Sequence, residues 1–198
     1  MRELSHSVLP SLPMASPIVL VLASGRGERF LASGGKGSKL QALLAGQPVI
    51  AHTLAAVRAS GLPFHVEAAG HPGMGDSIAA GVRATAQAGG WLVLPADLPL
   101  VRPESLRAVA AALQRASIVL PMHEGTRGHP VGFGAEHGPA LMALTGAQGA
   151  AAIVRAAQPL ALELPDEGIV TDIDTVEDLA RAERLFQRRR RRQGEEGS

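Results

Sequence analysis

Residues 22–39 read LASGRGERFLASGGKGSK, placing Arg26, Arg29, Lys36 and Lys39 among glycines directly after the apolar run 18–21. A glycine-rich turn behind a strand lets backbone N–H groups approach a phosphate closely, and nearby cations neutralise its charge. Two familiar phosphate loops fail here. A dinucleotide fingerprint needs a third glycine where Phe30 stands, and a Walker loop needs Gly-Lys-Ser/Thr where the order is Gly37-Ser38-Lys39. Further on, Asp97 ends an apolar run and sits between Pro95 and Pro99. A carboxylate held rigid at the carboxyl end of a parallel strand points into the crevice where α/β sheets bind ligands, and it suits a hard divalent cation. Arg127-Gly128-His129-Pro130 sets a guanidinium beside a glycine, an arrangement able to grip a phosphate at two points. The segment from His71 through Gly73, Met74, Gly75 and Ser77 precedes a helix expected over 79–88, whose open N–H groups are placed to meet a base or a ribose.

Elements that could position these groups follow from the hydrophobic pattern. Short runs rich in Val, Ile and Leu predict strands at 18–22, 64–68, 91–95, 118–122, 160–164 and 169–173, alternating with Ala-rich amphipathic segments. Ile50, Leu54 and Val57 share a stripe on a helix over 48–59, and Pro103 opens another carrying Leu106, Val109 and Leu113. Thr175 with Asp178 has capping-box spacing ahead of a helix bearing Leu179, Ala182 and Phe186. The expected fold class is α/β, three layers in αβα order around a mostly parallel, Rossmann-like sheet.

Composition bounds the partners. The 198 residues, 46% of them hydrophobic, are enough for one domain with a sizeable core. This domain is expected over 16–187, between a disordered segment 1–15 and a disordered Arg-rich tail 188–198. A net charge of +1 with 3% aromatics argues against a nucleic-acid-binding protein, which needs a basic surface and stacking platforms. The absence of cysteine fits a reducing, cytoplasmic setting, and no apolar run is long enough to span a membrane.

The stretch Leu22-Ala23-Ser24-Gly25-Arg26-Gly27-Glu28-Arg29, followed by Lys39-Leu40, resembles the signature loop of the MobA-like NTP transferase superfamily of nucleotidyltransferases. That resemblance implies the nucleotide-diphospho-sugar transferase type of sheet, with Arg29 and Lys39 on the triphosphate and Asp97 on Mg²⁺. It also implies that one residue of the pair Asp172 and Asp174 completes the metal site. The spacing from Arg29 to Lys39 is longer than the pattern, and the choice of Lys39 over Lys36 rests on the Leu40 that follows it. Arg127-Gly128-His129-Pro130-Val131-Gly132-Phe133 is similar to the acceptor-side segment of the molybdenum cofactor cytidylyltransferase branch, where Gly73, Met74 and Ser77 also have counterparts. The branch implies transfer of a nucleoside monophosphate, from CTP in preference to GTP, to a phosphate-bearing pterin of the molybdopterin type. A molybdenum enzyme apoprotein or its chaperone would then be a partner. Alternatives are a sugar or polyol phosphate acceptor, or a nucleotide- and pterin-binding maturation factor without turnover. The latter draws on residues 60–73, which hold one strand where relatives carry two strands and a helix.

Overall fold

The structure, a computed structural model, describes residues 15–25 and 27–196, with side chains described as far as Arg192. Most of the segment 1–15, together with Arg26 and residues 197–198, therefore lies outside the described residues. The chain begins with β1 (Ile18–Leu22) and α1 (Glu28–Ala32), then a 3₁₀ turn Lys39–Gln41 and a small hairpin of β2 (Leu43–Leu44) and β3 (Gln47–Pro48). Next come α2 (Val49–Ser60), β4 (Phe64–Glu67), α3 (Met74–Ala84), β5 (Gly90–Pro95) and α4 (Pro103–Ala112). The second half runs β6 (Ile118–His123), β7 (Thr126–Arg127), β8 (Val131–Gly134), a 3₁₀ turn, α5 (Gly138–Met142), α6 (Ala151–Ala156) and β9 (Leu160–Glu163). A last 3₁₀ turn, Glu167–Val170, leads into α7 (Val176–Glu196).

One sheet, in the order β4-β1-β5-β8-β6-β7 with β9 also on β6, carries the architecture. β4, β1 and β5 are parallel, β9 is parallel to β6, and β8 and β7 run antiparallel to their neighbours. Alternation along β1 decides which side chains face which layer. Val19 and Val21 join Leu92, Leu94 and Val119 under α2, α4 and α7, and Leu20 and Leu22 join Trp91, Val93 and Phe133 under α3, α5 and α6. This is the three-layer, mostly parallel arrangement expected.

Several elements sit differently from the sequence reading. The buried stripe of α2 is Val49, Thr53, Val57 and Ser60, with Ile50 and Leu54 at its flank. α3 starts at Met74 rather than Ala79, so Ser77 lies inside its first turns and is buried. α3 approaches the sheet closely because Gly81 has no side chain: a Cβ there would come within 2.3 Å of Leu20. Residues 169–173 form no strand. Ile169 and Ile173 each plug the core separately, while Gly168 presses on the carbonyl of Leu100, where a Cβ would meet it at 1.9 Å. β8 escaped the pattern because Gly132 and Gly134 dilute its apolar run.

The Arg-rich segment, expected to be disordered from 188, continues α7 as far as Glu196. Arg189 accounts for part of this. Its guanidinium donates to the Leu100 carbonyl and, at 2.9 Å, to the buried carboxylate of Asp166, which also accepts from Ser105 Oγ at 2.7 Å and Arg102 N at 2.9 Å. Burying a carboxylate costs far less when several donors meet it in this way. Among the described residues no helix is long and apolar enough to cross a membrane.

Candidate functional site

The carboxyl ends of β1 and β5 open into a cleft of about 680 Å³. Asp97 enters it two residues after β5, where two contacts fix the backbone. Thr53 Oγ1 donates to the carbonyl of Ala96 at 2.9 Å, and Ile173 N donates to the carbonyl of Asp97 at 3.0 Å. The second bond brings the segment 172–174 alongside Asp97. From the other wall, Lys39 Nζ donates to Asp97 Oδ2 at 2.6 Å and to Asp174 Oδ1 at 2.8 Å, and Arg29 pairs with Asp174 Oδ2 at 2.7 Å. Lys39 is positioned by a short 3₁₀ turn whose N-cap, Ser38, accepts from Leu40 N, and by Leu40, which is buried in the core.

The electrostatics of this group follow from its geometry. Burial on its own pulls the Lys39 ammonium toward neutrality, but the charges and hydrogen bonds of Asp97 and Asp174 outweigh it and hold the pKa above 10.5. Asp172, at the solvent-facing rim, is held above the usual carboxylate range by partial desolvation and then by the negative charges of Asp97, Asp174 and Asp178. His129 is enclosed, so desolvation keeps its imidazole neutral in spite of Asp97 and Asp172. Among the described residues, two enclosed acceptors of the cleft, Asp97 Oδ1 and His129 Nδ1, have no protein partner; away from it His137 Nε2 is a third such atom. Buried polar atoms are rarely left so unless something else meets them.

Those orphaned acceptors bear on whether the chain fits a divalent cation. Among the described residues no three His, Asp or Glu side chains converge as a closed cage. Mg²⁺, however, keeps several waters and takes one or two protein carboxylates plus substrate phosphates. Asp97, with one oxygen open, and Asp172 beside it match that sparse donor set. Asp174 is the weaker candidate of the expected three, since Lys39 and Arg29 already hold both of its oxygens.

The cleft also collects most of the other residues singled out in the sequence: Leu22, Ser24, Gly25, Gly27, Gly73, Met74, Ser77, Arg127 and His129. Ala23, Gly75, Gly128 and Pro130 do not line it and serve the walls instead. Gly75 donates its N–H to Gly146 O at 2.8 Å, and Gly128 lies so near Ile169 that a Cβ would meet it at 2.7 Å. Glycine is needed for backbone conformation at Gly27, whose φ of 65° forms the left-handed entry to α1. Gly25 differs, since a Cβ built there meets nothing within 4 Å. Gly25→Ala is therefore expected to leave the thermal midpoint within about 1 °C of wild type, measured by scanning calorimetry.

Sequence reasoning missed Thr126 and gave no role of its own to His71, which it named only as the start of the segment ahead of α3; both line the cleft. His71 is a lone histidine in a loop and carries no pattern of its own. Only its distance of four residues from Glu67, at the end of a short strand, could have drawn attention to it.

Residues 55–161 match the family model described as MobA-like NTP transferase domain. No curated protein matches the sequence. Among solved structures, Rv0371c from Mycobacterium tuberculosis H37Rv is similar, with a TM-score of 0.72 at 21% identity over 86% of this chain and 98% of that one. The mycobacterial protein has also been solved in complex with manganese. A nucleotidyl transferase from Methanothermobacter gives 0.71 at 20% identity, covering 87% and 98%. Molybdopterin-guanine dinucleotide biosynthesis protein A from Archaeoglobus fulgidus gives 0.56 at 19% identity, covering 86% and 99%. At these identities the likeness speaks for the fold.

Proposed function

Because the chain belongs to the MobA-like NTP transferase family, we propose that its cleft transfers a nucleoside monophosphate, CMP in preference to GMP, onto a phosphate-bearing pterin. An oxygen of the acceptor phosphate attacks the α-phosphorus in line, the bond to the β-phosphate oxygen breaks, and pyrophosphate leaves. The observation that carries this reading is the placement of Lys39 between Asp97 and Asp174, with one Asp97 oxygen unpartnered at the floor of an open cleft. Such chemistry asks for positioning and charge neutralisation more than for covalent help.

Each group then has a task. Arg29 and Lys39 leave their carboxylates to meet the phosphates, and the open space at Gly25 admits a phosphate against the backbone. Asp97 and Asp172 would hold the divalent cation; when bound, it would supply charge that offsets the phosphates and the departing pyrophosphate. The manganese complex of the mycobacterial neighbour supports metal use by this type of fold. Arg127 and His129, on the far side of Asp97, orient the acceptor, and the neighbour named for molybdopterin-guanine dinucleotide biosynthesis supports a pterin there. Ser24 in place of a smaller residue narrows the base end and favours cytosine over guanine.

The test is an assay of released pyrophosphate with CTP, GTP and ATP, each with Mg²⁺ and molybdopterin. Turnover with CTP above GTP is expected. Pyrophosphate released only with a sugar or polyol phosphate would replace the pterin. Nucleotide binding without any turnover would favour the maturation-factor reading, for which the single strand β4 at the sheet edge speaks.

A further inference from the structure

The cleft has a direction. Across the sheet order β4-β1-β5-β8, Asp97 follows β5, and Arg127 and His129 come from the β7–β8 side. A nucleotide with its phosphates at Lys39 and its acceptor toward β8 lays its base over the β4–β1 end, where Ser24 and His71 line the wall.

The chemistry at that end is set by Glu67, the nearly buried last residue of β4. Its Oε1 accepts from Ala69 N at 3.0 Å and faces Nε2 of His71 at 3.1 Å, while Oε2 lies 3.7 Å from Nε2 of His65. Burial opposes the charge on Glu67, but the Ala69 amide, His71 and His65 outweigh it and hold the carboxyl below its usual range. An ionised carboxylate only accepts, so His71 donates through Nε2 and, in its neutral form, keeps a lone pair on Nδ1. Ser24 ends in the same state by a different route. Ser77 Oγ donates to Gly73 O at 3.1 Å, so in the 2.5 Å contact between the two hydroxyls Ser24 is the donor and its own lone pairs remain unused.

We propose that His71, positioned by Glu67, reads the base together with Ser24. The two side chains offer acceptors only, which suits an exocyclic amino group and rejects a carbonyl in its place. The ligand class is a nucleoside triphosphate whose base carries an amino group, with UTP excluded. This rests on the nucleotidyl-transfer reading above and adds the residue that discriminates.

Titration calorimetry of the full chain with CTP and with UTP, in Mg²⁺ and without acceptor, tests it. CTP is expected to bind at least about tenfold more tightly than UTP, because a site built around one polar group leaves its partners unpaired when that group is missing. In His71→Ala the two affinities come within about threefold, mainly by loss of CTP binding, and Glu67→Gln, which frees the ring without removing it, gives an intermediate ratio. His71→Leu serves the same end if the alanine variant does not fold. Equal affinity in the wild type, or an unchanged ratio in folded His71 variants, overturns the assignment while leaving nucleotidyl transfer standing. Failure of the wild type to bind either triphosphate overturns both.

Discussion

Replacing Asp97 by Asn lowers exchange of labelled pyrophosphate into CTP by about 10³-fold or more, the scale of removing a central electrostatic group from a transfer site. The thermal midpoint moves by no more than about 2 °C. The two parts of this expectation come from different atoms of one residue. The backbone carbonyl of Asp97 accepts from Ile173 N and ties the segment 172–174 in place, and Asn keeps that bond. The side chain holds Lys39 with one oxygen and leaves the other open. Asn preserves the shape but not the charge that a cation or a displaced ammonium requires. Near-wild-type exchange by the variant would remove this carboxylate from the mechanism.

Lys39→Met has the opposite profile, with activity and stability falling together. Without the ammonium, Asp97 and Asp174 keep, among the described residues, only the ion pair of Asp174 with Arg29, whose side chain is 79% exposed and weakly effective in water. Breaking a partly enclosed pair in this way costs about 2 kcal/mol, less than the value for full burial, or roughly 6 °C in a domain of this size. Exchange falls about 10²-fold or more as the phosphates lose a neutralising partner. The pH dependence has a definite sign. The folded pKa of Lys39 is raised above 10.5, so its stabilisation is complete below that pH and is lost as pH rises through the folded value. Thermal scans of wild type and variant should differ most at neutral pH and converge in strongly alkaline solution. A constant gap across that range would show that packing of the lysine stem, not its charge, supports the fold.

How far these residues could be read in advance depended on whether a local pattern marked them. The strands at 18–22, 91–95 and 118–122 carry apolar runs that can only be buried, and the chain buries them. Asp97 was legible because prolines on both sides of a strand-end carboxylate have little purpose in packing. Ile169 and Ile173 misled because an apolar run reads the same whether it joins a ladder or drops single side chains into a core. His71 and Glu67 were illegible because their relation is spatial: a hydrogen bond across a loop makes one imidazole an acceptor, and no periodicity encodes that. The C-terminal arginines read as a solvated run, since nothing local reveals that Asp166 is waiting for one of them.

That late anchor affects how the protein comes into being. Asp174, which orients Lys39, immediately precedes the cap of α7, where Thr175 and Asp178 hold each other, and Arg189 near the far end of α7 clasps the turn that leads there. A growing polypeptide can lay down its strands early, yet Lys39 gains its second carboxylate, Asp174, only after the segment that α7 anchors has left the ribosome. Synthesis that stops short of that helix would release a chain with a formed sheet and an unassembled cleft.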